Sequence, residues 1–92
     1  MRKKTFDSVW DALENTAGEA ANLRARADLM VALRELVKSK GWTQAEAARR
    51  CGVTQPRIND LLRGRISKFS LHALVNMAAA VGLRVALHVE AA

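Results

Sequence analysis

Between Thr54 and Lys68 the chain carries a run of side chains suited to reading a polyanion: Gln55, Arg57, Asn59, Asp60, Arg63, Arg65 and Lys68. Ile58, Leu61 and Leu62 recur among them at helical spacing, so one face of a short helix turns inward. Pro56, Asp60 and Arg63 then point away from the core, flanked by Gln55, Arg57 and Asn59. Each has a chemical match on duplex DNA. A glutamine or asparagine carboxamide pairs bidentately with adenine N6 and N7, Arg57 or Arg63 pairs with guanine or a phosphate, and the Asp60 carboxylate accepts from cytosine N4. Pro56 offers only apolar contact, for instance to a thymine methyl. Asp60 has a second reading, because Arg57 and Arg63 lie within one helical turn and can neutralise it. Arg65 and Lys68 follow the helix and suit phosphate anchoring. Arg49 and Arg50 do so only if the end of the preceding helix faces the duplex.

The other reactive side chains form no catalytic or metal-binding pattern. His72 and His88 share no ligand spacing with Cys51, there is no glycine-rich phosphate loop, and serine, histidine and acidic residues make no recognisable constellation. His72 reads as surface helix and His88 as the polar face of a strand. Cys51 ends an apolar helical pattern and reads as core, although Arg49 and Arg50 beside it would favour a thiolate were it exposed. The expectation is a non-enzyme without cofactor or metal, on a chain of 92 residues that is small to enclose a substrate pocket.

The elements that must hold these residues follow from periodicity and punctuation. Phe6, Val9, Trp10 and Leu13 suggest a short amphipathic turn or two that Gly18 interrupts. A longer helix is expected from Ala20 to Ser39, burying Leu29, Leu33, Leu36 and Val37, with Gly41 as a left-handed cap and Trp42 closing over the junction. Thr43 to Glu46 reads as a capping box, in which Thr43 accepts from the Glu46 amide and Glu46 reaches back. That helix stops at Gly52. Thr54 caps the next, with Pro56 in its first turn, where its missing N–H costs nothing. Ser70 caps a further helix with Leu71, Leu74, Val75 and Ala78 inward, ended by Gly82. Leu83, Val85, Leu87 and Val89 alternate with Arg84, Ala86 and His88, the period-2 pattern of a half-buried strand. A lone strand must find a partner, either the same strand of a second copy across a two-fold axis or, without a sheet, the chain's own helices.

Two short helices joined at Gly52 have the geometry that sets one helix across a DNA backbone and the next in the major groove. Counting Gln44 as the first position, Ala48 is the small fifth residue, Gly52 the ninth, and Ile58 and Leu61 the core fifteenth and eighteenth. The segments Gly41 to Ala48, Gly52 to Ile58, Leu61 to Arg65 and Phe69 to Leu74 resemble the phage-repressor (Xre-like) regulators. Their surroundings resemble antitoxins of the HigA type. The resemblance spans most of the chain from about residue 20. It implies a mainly α helix-turn-helix bundle of about four to five helices with a C-terminal β-strand pairing across a dimer. It also implies that Gln44 holds a phosphate and orients Gln55 against a base. Pro56 departs from repressors whose thirteenth residue hydrogen-bonds a base. With the capping Thr43 and Thr54, these complete the candidate DNA-binding set.

Composition agrees with a polyanionic partner: 15 Lys and Arg against 9 Asp and Glu give a net charge of +6. The positive field lies mid-chain, where residues 34–68 hold nine basic side chains against Glu35, Glu46 and Asp60. Residues 1–19 instead carry Asp7, Asp11, Glu14 and Glu19 around Phe6 and Trp10. We therefore divide the chain into an acidic, aromatic segment (1–19), a helix-turn-helix domain (20–82) and a dimerisation strand and tail (83–92). Phe6, Trp10 and Leu13 need a cover. By the resemblance that cover is a basic ribonuclease toxin of the RelE superfamily; the alternative is this protein's own helices or the other protomer. A single cysteine excludes an intrachain disulfide, Asp7, Asp11 and Glu14 occupy the place of a signal peptide's apolar region, and Ala73 to Val81 is too short to span a bilayer. The expectation is a cytoplasmic, homodimeric repressor of a palindromic operator, autoregulating a toxin-antitoxin operon. Two alternatives are a protein-interaction module that occludes a partner, with DNA binding secondary, and a phage-type regulator without a toxin.

Overall fold

The computed structural model describes the backbone of residues 2–91 and the side chains of residues 16–91. Helix α1 runs Arg2–Lys40, α2 Gln44–Cys51, α3 Gln55–Leu62 and α4 Leu71–Ala80, with a 3-10 turn at Ile66–Lys68 between the last two. Gly18 does not interrupt α1, contrary to the expectation of two separate helices. A glycine inside a helix costs only about 1 kcal/mol relative to alanine. The alanine- and arginine-rich stretch around it has ample propensity to continue. The side chains of Phe6, Trp10 and Leu13 lie outside the described residues, so the aromatic ridge proposed there is placed only on the helix. Residues 16–24 are all exposed, and the packed body is built on the C-terminal half of α1.

That half contributes Met30, Leu33 and Val37 to one core with Ala47, Ala48 and Cys51 of α2, Ile58 and Leu61 of α3, Phe69, and Leu74, Met77 and Ala78 of α4. Leu29 and Leu36 are only half-buried, and Met30 and Met77 occupy core positions that the apolar periodicity did not single out. Ala47 and Ala48 are the small residues that let α2 lie close to α3 and α4. Fully burying a leucine or isoleucine side chain stabilises by roughly 1.5–3 kcal/mol, so Leu33, Ile58, Leu61 and Leu74, each with no exposed surface, dominate the fixing of these elements.

Each α-helix ends in the same way. An amide two or three residues past the helix returns to a carbonyl five residues earlier: Trp42 to Val37, Val53 to Ala48, Arg65 to Asp60 and Leu83 to Ala78, at 2.9–3.2 Å. This satisfies carbonyls that a helix end otherwise leaves open. Gly52 shows what that requires, with φ +72 in the left-handed region that a Cβ disfavours.

The expected C-terminal strand is not formed in the single chain. Residues 83–91 are neither helix nor strand. A strand is held by a ladder of hydrogen bonds to a neighbour, and only this one segment has the pattern for it. Leu83 packs against the core, whereas Leu87 and Val89 are 88% and 80% exposed.

Candidate nucleic-acid interface

Two caps aim the front of the helix pair. The Thr43 hydroxyl oxygen accepts from the Glu46 amide at 3.1 Å, and that of Thr54 accepts from the Arg57 amide at 3.4 Å. Gln44 and Gln55 thereby become the first residues of α2 and α3, and both are exposed. Ser70 caps α4 in the same way through the Ala73 amide at 3.0 Å. The capping box at Thr43 is only half made. Glu46 does not reach back; its carboxylate instead takes hydrogen bonds from Arg49 and, at 2.6 Å, from Arg50. Those arginine bonds, Arg49 first, hold the Glu46 carboxyl below its ordinary pKa. Two guanidinium groups outbid one backbone amide because an ion-paired hydrogen bond is the stronger.

The turn at Gly52 leaves Pro56 and Arg63 exposed, with Asn59 and Asp60 half-buried, on the side of α3 opposite Ile58 and Leu61. Arg49 and Arg50 are exposed at the end of α2, and Arg50 also lies over the Trp42 ring at 5.1 Å. Trp42 is thus part of the junction, as expected, and carries a basic side chain on its outer face.

Two side chains have partners other than those expected. Asp60 is not neutralised by Arg57 or Arg63: its carboxylate pairs with Arg65 at 3.2 Å. The return of the Arg65 amide to the Asp60 carbonyl at 3.0 Å already brings those residues together, which helical spacing alone does not reveal. Arg57 is half-buried and donates to the Lys68 carbonyl at 2.8 Å, with its guanidinium 4.6 Å above the Phe69 ring. Lys68 and Ser67 remain exposed.

Sequence reasoning missed Arg26. Its Nη1 donates to the carbonyls of Ile66 at 3.1 Å and Phe69 at 3.2 Å, and its Nε to Asn22 Oδ1 at 2.6 Å. The signal was available: Arg26 falls four residues before Met30 and seven before Leu33, on the core face of α1. A charged side chain there needs buried acceptors.

Cys51 is buried, and desolvation raises its thiol pKa, so it is core as its pattern suggested. His72 bonds Asn76 at 3.1 Å on the exposed face of α4, and His88 lies 3.4 Å from Glu90 in the exposed tail. Among the described residues no helix is long and apolar enough to cross a membrane.

Comparison with known proteins agrees with this geometry. Residues 12–90 match a family model described as a helix-turn-helix domain. The structure is similar to a solved structure named as an XRE-family transcriptional regulator, with a TM-score of 0.73 and 24% identity over 80% of this chain and 83% of that one. At that identity the likeness shows the fold. No curated protein matches the chain in sequence.

Proposed function

The chain belongs to the helix-turn-helix domain family, and from that membership we propose that it is a transcriptional repressor that reads duplex DNA with α3. The observation that carries this reading is the pair Gln44 and Gln55. Each is exposed as the first residue of a helix capped by the threonine before it, as a backbone-holding and a base-reading glutamine must be. Gln55, Pro56 and Asn59 read base edges in the major groove, with Arg63 at the groove wall. Gln44, Arg49, Arg50, Arg65 and Lys68 hold phosphates, and Thr43 and Thr54 position the glutamines. Arg57, committed to the Lys68 carbonyl and the Phe69 ring, acts as an anchor for the loop that follows. Asp60 acts through Arg65, not on cytosine.

Two copies pair through Leu83, Val85, Leu87 and Val89 as an antiparallel ribbon, which explains three large apolar side chains left exposed in the single chain. The recognition helices then meet half-sites about 34 Å apart on a palindromic operator. The resemblance to HigA-type antitoxins extends the proposal to a cytoplasmic regulator of its own toxin-antitoxin operon. The N-terminal part of α1, with Phe6, Trp10 and Leu13, meets a RelE-type toxin in that reading. Co-purification of the neighbouring gene's product with the full chain, lost on Trp10→Ala, tests that extension.

DNA reading is tested by a mobility shift on the DNA upstream of the gene, with unrelated duplex as competitor. Competitor-resistant retardation that Gln55→Ala abolishes supports the assignment. Retardation that unrelated DNA removes equally well rejects it.

A further inference from the structure

Two arginines that lie away from the exposed face of α3 set the position of the turn that follows it. Arg57 reaches the Lys68 carbonyl from α3, and Arg26 reaches the Ile66 and Phe69 carbonyls from α1. The turn Ile66–Lys68 is therefore gripped from two helices, and the Phe69 ring that follows it is buried in the core beneath the Arg57 guanidinium. Three main-chain carbonyls on four successive residues accept from guanidinium groups. Lys68, whose side chain is exposed, sits between the two carbonyls that Arg26 holds.

We infer that Arg26 is a positioning residue for DNA binding: it fixes the turn that presents Lys68 to a phosphate, and so makes that contact depend on α1 as well as α3. This rests on the proposed DNA reading, in which Lys68 is a phosphate contact. The physical reason is entropic. A short turn held only by its own chain samples many orientations, and a lysine on it gains little from a phosphate that it meets only part of the time. Held at Ile66, Lys68 and Phe69, the turn keeps one orientation, and the ordering cost is met on folding. Asn22 has a supporting part, since its side-chain oxygen takes the Nε of Arg26 and leaves Nη1 aimed at the turn.

The test is the salt dependence of affinity for a random-sequence 30-base-pair duplex, read by fluorescence anisotropy, since each lost phosphate contact lowers the slope of log K against log salt by about one. Lys68→Ala is expected to lower the slope by about one, and Arg26→Ala to do the same. The double variant is expected to fall no further than Lys68→Ala. Arg24→Ala, which removes the same charge from an exposed position on the same helix, is expected to keep the wild-type slope. If Arg26→Ala loses its helical circular dichroism, Asn22→Ala decides, with a smaller reduction in the same direction expected. A wild-type slope in the folded Arg26 or Asn22 variant overturns the inference alone, as does a double variant that falls by about two. No binding by the wild type overturns the DNA reading itself, and this inference with it.

Discussion

The Arg65 guanidinium folds back across the turn at Gly64 to pair with the Asp60 carboxylate, 3.2 Å away, on the side of α3 that we propose meets DNA. An acidic group on a face that meets phosphates is unfavourable unless it is neutralised. Arg65 neutralises it at the cost of part of its own attraction for DNA. Asp60→Asn is therefore expected to raise affinity for random-sequence duplex by several-fold at low salt, with sequence preference unchanged. Loss of preference at a single cytosine-bearing position in a binding-site series would return Asp60 to base reading.

Glu46 supports a pH prediction. Its pairing with Arg49 and Arg50 lowers its pKa in the folded chain, so the unfolded chain takes up its proton first as pH falls. Its contribution to stability is present above the ordinary glutamate value of about 4.3, and is lost as pH falls through the lower folded value. Glu46→Gln should therefore unfold at lower urea than wild type at pH 7, and at nearly the same urea at pH 2. A difference that persists unchanged at pH 2 would assign the effect to something other than the ion pairs.

Two glycines should respond in opposite directions. Gly52 holds φ +72 with open space where a Cβ would stand, so Gly52→Ala carries backbone strain alone, about 1–2 kcal/mol. Gly18 lies inside α1, also with open space, and Gly18→Ala should stabilise by about 0.5–1 kcal/mol. Thermal denaturation separates them, a change of 1 kcal/mol moving the midpoint by roughly 4–8 °C in a domain of this size. Destabilisation by Gly18→Ala would mean that α1 is not continuous in solution.

The tail supplies a test of assembly. Leu87→Asp replaces a side chain that is 88% exposed in the single chain, so folding of one copy should be unaffected. A ribbon between copies should not tolerate the charge. Sedimentation is expected to show a dimer for wild type and a monomer for the variant, with unchanged helical content. A wild-type monomer at micromolar concentration would leave the exposed apolar tail to another partner.

The helix pair was legible because its signals are local. Thr43, Gly52, Thr54 and Pro56 each act on residues within a turn of themselves, and the apolar spacing of Ile58 and Leu61 is that of a single helix. What escaped the sequence acts across longer distances. Asp60 meets Arg65 only because the turn at Gly64 reverses the chain, and Arg26 meets Ile66 and Phe69 forty and forty-three residues away. Gly18 misled for another reason: a local breaker signal was outweighed by the helical propensity on both sides. The strand pattern at Leu83 to Val89 is legible as a pattern, but a ladder needs a second strand, and there is none among the described residues.

The most direct measurement is selection of bound duplexes from a randomised library by wild type and by Gln55→Ala. A helix that reads bases through Gln55 predicts one enriched motif, palindromic with half-sites about one helical turn apart, and loss of information at one position in each half-site for the variant. Enrichment of no motif, or of the same motif at undiminished strength by Gln55→Ala, would contradict the account.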